Sequence, residues 1–122
     1  MKGMKTLILF LFSAAAALAQ SHTVTLTWTD TVNPTGTTYS AWRQTGACPQ
    51  LAPTTTTGFT QLNAAAITIK SYADSTVTAG ATYCYVVTAT AAGGGTASGP
   101  SNDAQAIVPG AFPPQGLTVT AN

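Results

Sequence analysis

The chain has 122 residues, with four lysines and arginines, three aspartates, no glutamate, one histidine and a net charge of +1. That length predicts one domain, and so small a charge excludes the basic face that nucleic acid or an anionic membrane surface requires. About a fifth of the residues are threonine, a β-branched residue suited to exposed strand faces.

The chain opens with an export signal, residues 1–19. Lys2 and Lys5 form a basic start, Leu7, Ile8, Leu9, Phe10, Leu11 and Phe12 an apolar run, and Ala17-Leu18-Ala19 a small-x-small cleavage site. The run is shorter than the ~20 residues of a spanning helix, and no cysteine follows it to carry a lipid. The expected address is outside the cell or on its surface, with the periplasm as an alternative, and the protein is not membrane-embedded once the signal is removed. Cleavage after Ala19 leaves Arg43 and Lys70 against Asp30, Asp74 and Asp103, one negative charge in excess.

From here the apolar pattern has period two. "HTVTLTWTD" puts Val24, Leu26 and Trp28 on one face and threonines on the other, a half-buried antiparallel strand. "DTVNPTG" is a turn cluster. "TTYSAWRQT" is a second strand, with Tyr39 and Ala41 inward and Trp42 and Gln44 outward. "GACPQLAPTTTTG" is a loop carrying Cys48. "FTQLN" is a short strand. "AITIKSYADS" is another, with Ile67 and Ile69 on one face, Tyr72 on the opposite one and a bulge near Lys70 or Ser71 to reconcile them. "TYCYVVTAT" places Tyr83, Tyr85, Val87 and Ala89 on one face. "AAGGGTASGP" is a flexible loop. "SNDAQAIVP" turns Ala104, Ala106 and Val108 inward. Short strands at regular spacing with no helical segment predict an all-β antiparallel sandwich or barrel. The even cysteine count in an exported chain predicts a Cys48–Cys84 disulfide, which closes a loop long enough to stabilise the fold by about 4 kcal/mol in the chain-entropy model.

These pieces, in this order, resemble a fibronectin type III domain of bacterial secreted type. "TVTLTW" is similar to the family's second strand with its core tryptophan, here Trp28, and "TTYSAWR" to the third, with Tyr39 facing the core. "VTAGATYCYVVTA" resembles the family's hydrophobic residue, tight glycine turn and Tyr-x-hydrophobic-x-hydrophobic pattern, and "PSNDAQAIVP" resembles its last strand. The resemblance covers residues 23–108. It implies an immunoglobulin-like sandwich of about seven strands, with Tyr83 as the tyrosine corner and Trp28, Tyr39, Tyr85 and Val87 in the core. The disulfide is a departure from the family. So is the order of strands: the family's first strand has no room before "TVTLTW", whereas "PPQGLTVTAN", residues 113–122, looks like that strand placed last. Residues 20–108 are the expected domain and 109–122 a linker and strand-like tail, with Leu117 and Val119 facing one way. Donated to the open edge of a neighbouring copy, this tail would build a head-to-tail polymer by β-augmentation; folded back, it would fill the edge of its own body, and a loosely ordered terminus is the plain reading.

The residues do not suggest an enzyme. One histidine and three dispersed aspartates give no acid–base pair and no activated nucleophile, and "GGG" precedes a strand, not a phosphate-binding helix. No cofactor and no metal are expected: Asp30 and Asn33 are too few ligands for calcium. A mature start at Gln20-Ser21-His22 has the nitrogen set that suits Cu(II), though an exposed His22 ahead of the strand is the plain reading. The expected function is that of a secreted structural or interaction module, with protein, self or cell-surface, as partner. The alternative is a monomeric adhesion or carbohydrate-binding module that uses Trp42, unless the Cys48 loop covers it, together with the flexible loop from Ala91 to Pro100.

Overall fold

Alternating threonine and apolar side chains give the backbone two chemically distinct faces, and the chain resolves them by packing two sheets together. In the computed structural model, which describes residues 21–111 and 113–121, six strands form: β1 (Val24–Thr27), β2 (Thr38–Thr45), β3 (Thr60–Gln61), β4 (Ser71–Asp74), β5 (Thr82–Thr90) and β6 (Ala104–Ile107). There is no helix among the described residues. The expected export signal and cleavage site, and Gln20, lie outside them.

All pairings are antiparallel. One sheet is β1–β4; the other is β3–β2–β5–β6. The architecture is an all-β sandwich. Between the sheets, Tyr39, Ala41 and Ile67 form one buried cluster with Leu26, Trp28 and Val87 against it. Tyr83, Tyr85 and Val108 form a second, met by Val24 and Leu26. Trp28 meets Tyr39 edge to face, with ring centroids 5.3 Å apart, a geometry that aromatic quadrupoles favour.

Three expectations need correction. "AITIKSYADS" is not one bulged strand. Ile67 forms a bridge with Tyr39 of the larger sheet, and three residues later the Lys70 carbonyl accepts the Trp28 N–H on the way into β4 of the smaller one. The chain changes sheets here, which is why the phase breaks and why Ile69 is exposed while Ile67 is buried. Nor is the tail a seventh strand: residues 113–121 are exposed and carry no strand. Ala104, expected inward, is also exposed, because the sandwich is unfilled beside it.

The crossover closes the sandwich on the β4 side. On the opposite side, β6 reaches only as far as Ala104, opposite Tyr85. Beyond that, the Ser101 and Ser98 hydroxyls accept the Val87 and Ala89 N–H groups, each at 2.9 Å, in place of a strand.

Candidate functional site

The candidate site is the side of β1 that faces away from β4. Because the Trp28 N–H points to β4 and residues in an antiparallel ladder alternate in direction, the N–H and C=O groups of Thr25 and Thr27 point away from β4. No strand pairs with that edge among the described residues. Beside it runs an open cleft in two adjoining parts. One, of about 230 Å3, is lined by Leu26, Trp28, Tyr85 and Ala104. The other, of about 560 Å3, continues past Trp28 to Asn33, Tyr39 and Asn102 at the end of the sandwich. An unpaired ladder next to an apolar cleft is a template for another strand.

The loop after β1 is fixed by Asp30. Its carboxylate accepts the Val32 and Asn33 N–H groups at 3.1 and 3.0 Å, the Asn33 side-chain amide at 2.7 Å and the Tyr39 hydroxyl at 2.8 Å. These bonds, from Asn33 above all and then from Tyr39, hold the carboxyl well below the usual carboxylate range. The cleft mouth is therefore a preformed rim, with Val32 exposed on it.

At the other end sits a polar network that sequence reasoning missed. Asp74 is 2% exposed and takes a hydrogen bond from Arg43 at 2.9 Å, two from Thr76 at 3.0 and 2.6 Å, and one from the Tyr85 hydroxyl at 2.8 Å. Burial opposes its ionisation, but the donors from Thr76, Tyr85 and Arg43 prevail and keep its carboxyl below the ordinary value. Arg43 also lies over the Tyr83 ring, 4.6 Å from the centroid. Burial, then the Asp74 charge, pushes the Tyr85 phenol above its ordinary value. Every strong acceptor lone pair here has a structural donor, so the network holds strands together and presents no free acid or base.

The Tyr83 hydroxyl accepts the Thr78 N–H at 3.0 Å, five residues upstream. That bond pins the β4–β5 turn, where Gly80 has φ +79° and its Cα lies against Gly110. Tyr83→Phe is expected to lower stability by about 1–2 kcal/mol, the effect of stripping a partner from a partly buried N–H; urea denaturation measures it.

The outer face of the larger sheet is covered. Cys48 and Cys84 are joined, with Cα atoms 4.9 Å apart, and the Cys48 N–H donates to the Gln105 side chain of β6. From there the loop of residues 46–58 passes over β5, and its Thr54 carbonyl comes close to Gly99. Cys84, Val86 and Thr88 all point outward, yet are buried. Trp42, on this face, is half-buried, and its indole N–H donates to the Thr88 hydroxyl at 3.0 Å. The polar handle a sugar platform would offer is thus used internally. Leu117 and Val119 are 87% and 84% exposed.

Among the described residues, Cys48, Cys84 and Asp103 are the group whose metal-ligating atoms lie together, within 4.8 Å, and the disulfide occupies both sulfurs. His22 precedes β1, and the copper-type nitrogen set falls partly on Gln20, outside the described residues. No described helix is long and apolar enough to cross a membrane. No protein-family model matches the chain, and no match is found among curated proteins.

Proposed function

We propose that this chain is a secreted, fibronectin type III-like structural module that assembles with protein through the open edge of β1. The strand order supports the family resemblance: β1 with β4 in one sheet and β3–β2–β5–β6 in the other leave β1 bordering a vacant position. The observation that carries the function is a backbone ladder at Thr25 and Thr27 that no strand pairs among the described residues, beside an apolar cleft. Neither charge nor a catalytic constellation competes with this reading, and a near-neutral threonine surface suits close packing of subunits.

Proline at an outward-facing N–H of an edge strand removes a donor without disturbing the internal ladder. Sedimentation velocity of the secreted wild-type chain is expected to show concentration-dependent association, and Thr27→Pro to remain monomeric with an unchanged near-UV spectrum. A wild-type chain that stays monomeric at millimolar concentration overturns the proposal, as does a Thr27→Pro variant that associates like wild type.

A further inference from the structure

We infer that the strand accepted by β1 is residues 117–121 of a second copy, entering at the Trp28 end and running antiparallel to β1, so that copies join head to tail. This rests on the edge-assembly reading above and adds the occupant, its direction and its register.

The tail has the features of a donor strand. Residues 113–121 are exposed throughout, and their backbone makes no hydrogen bond to the described residues. Within them Leu117 and Val119 alternate with Thr118 and Thr120, the same period-two pattern that β1 shows with Leu26 and Trp28 against Thr25 and Thr27. The segment carries no charge, and neither does β1, so nothing repels the pairing. Exposed apolar residues in strand alternation are what an open edge recruits.

Direction follows from where the chain leaves the body. The Gly80 N–H donates to the Val108 and Pro109 carbonyls, and Gly110 packs on Gly80, so the exit lies at the β4–β5 turn. Val24 pairs with Asp74, which puts the start of β1 at that same end. A strand antiparallel to β1 must begin at the opposite end, beside Trp28. To reach that point on its own body the tail would have to run back along the whole sandwich. Trp28 shares the cleft with Val87, about 23 Å along β5 from Gly80, and lies in the other sheet, a further ~10 Å away, whereas the seven steps from Gly110 to Leu117 reach at most ~25 Å, less with Pro113, Pro114 and the turn at Gly116, φ +73°. A neighbour stacked end to end presents its Trp28 end directly to the exit.

Register follows from the ladder. With Thr118 opposite Thr27 and Thr120 opposite Thr25, the outward backbone groups of β1 find partners and threonines pair on the outer face. Leu117 and Val119 then sit on the same face as Trp28 and Leu26, over the cleft. The contact is heterologous: edge and tail are different surfaces of each copy. It therefore propagates as an open chain rather than closing as a dimer.

The test uses the full secreted chain. Thr27→Cys combined with Thr118→Cys is expected to give a disulfide-linked ladder of multimers on a non-reducing gel, since directly opposed strand residues lie within disulfide reach. Leu117→Asp/Val119→Asp, which alters only exposed residues, is expected to weaken association about 100-fold or more, the effect of losing two buried aliphatic side chains. Crosslinks formed within single chains, with no ladder, overturn the inference in favour of self-insertion. Association that Thr27→Pro abolishes but Leu117→Asp/Val119→Asp leaves at wild-type strength also overturns it, pointing to β1 edges paired in a closed dimer, while the edge-assembly reading stands. No association in the wild type overturns both.

Discussion

Replacing Cys48 and Cys84 together with alanine is expected to destabilise the fold by about 4 kcal/mol, the largest effect of any change considered for this molecule. The bridge spans 36 residues of sequence, and a loop of that length loses roughly 4 kcal/mol of closure entropy in the denatured chain. For a domain of about 100 residues this lowers the melting temperature by roughly 15–30 °C, which calorimetry reads directly. The folded state loses something as well. The bridge is what tethers the loop of residues 46–58 over the outer face of β5, where Val86 is 1% exposed. Without it, the Cys48 N–H bond to Gln105 remains as an anchor at that point. Limited proteolysis is therefore expected to cut within residues 49–57 of the variant far faster than in the oxidised wild type. A melting temperature within a few degrees of wild type would show that the loop is held by its own packing instead.

The second large effect belongs to Asp74. Asp74→Ala strands the Arg43 guanidinium, the Tyr85 hydroxyl and the Thr76 N–H at once. Removing one member of a buried ion pair costs about 3–5 kcal/mol. Arg43 keeps about a fifth of its side chain in water, which favours the lower end, about 3 kcal/mol. Urea denaturation checks the magnitude, and a companion variant checks the cause. Arg43→Met/Asp74→Leu leaves no orphaned charge and is expected to be more stable than Asp74→Ala alone. The same carboxylate gives stability a pH dependence. Asp74 and Asp30 are both held below their ordinary values, so the unfolded chain binds more protons than the folded one in acid. Their contributions are complete above about pH 5 and are lost as pH falls below about 4 towards the folded-state values. Asp74→Asn is expected to flatten that acid limb relative to wild type, measured as the urea midpoint between pH 2 and 6.

Much of the fold was legible in the sequence, because period-two alternation in a threonine-rich chain has one physical meaning. β1, β2 and β5 were read directly from Val24-x-Leu26, Tyr39-x-Ala41 and Tyr83-x-Tyr85-x-Val87. Alternation reports which face a residue takes, not which sheet it joins. It therefore misread the passage from Ile67 to Tyr72, where the chain leaves one sheet for the other. The Arg43–Asp74 pair was missed, although a signal existed. Arg43 is in phase with Tyr39 and Ala41, hence inward, and a buried guanidinium needs one of the three aspartates as partner. Asp74 is in phase with Tyr72. What no pattern carries is a void. The cleft lies between Leu26 and Trp28 of one sheet and Tyr85 and Ala104 of the other, beside an edge of β1 that no described strand covers, and whether an edge is covered is a matter of packing in three dimensions.

The place where the backbone leaves the body also sets how the module bears load. Tension applied through residues 109–121 pulls on β6 along its own axis. It meets the Thr82–Tyr85 ladder and the extra bonds at Ala81 and Gly80 side by side. Such a joint fails in shear, with its hydrogen bonds strained together, and resists rupture better than one peeled open bond by bond.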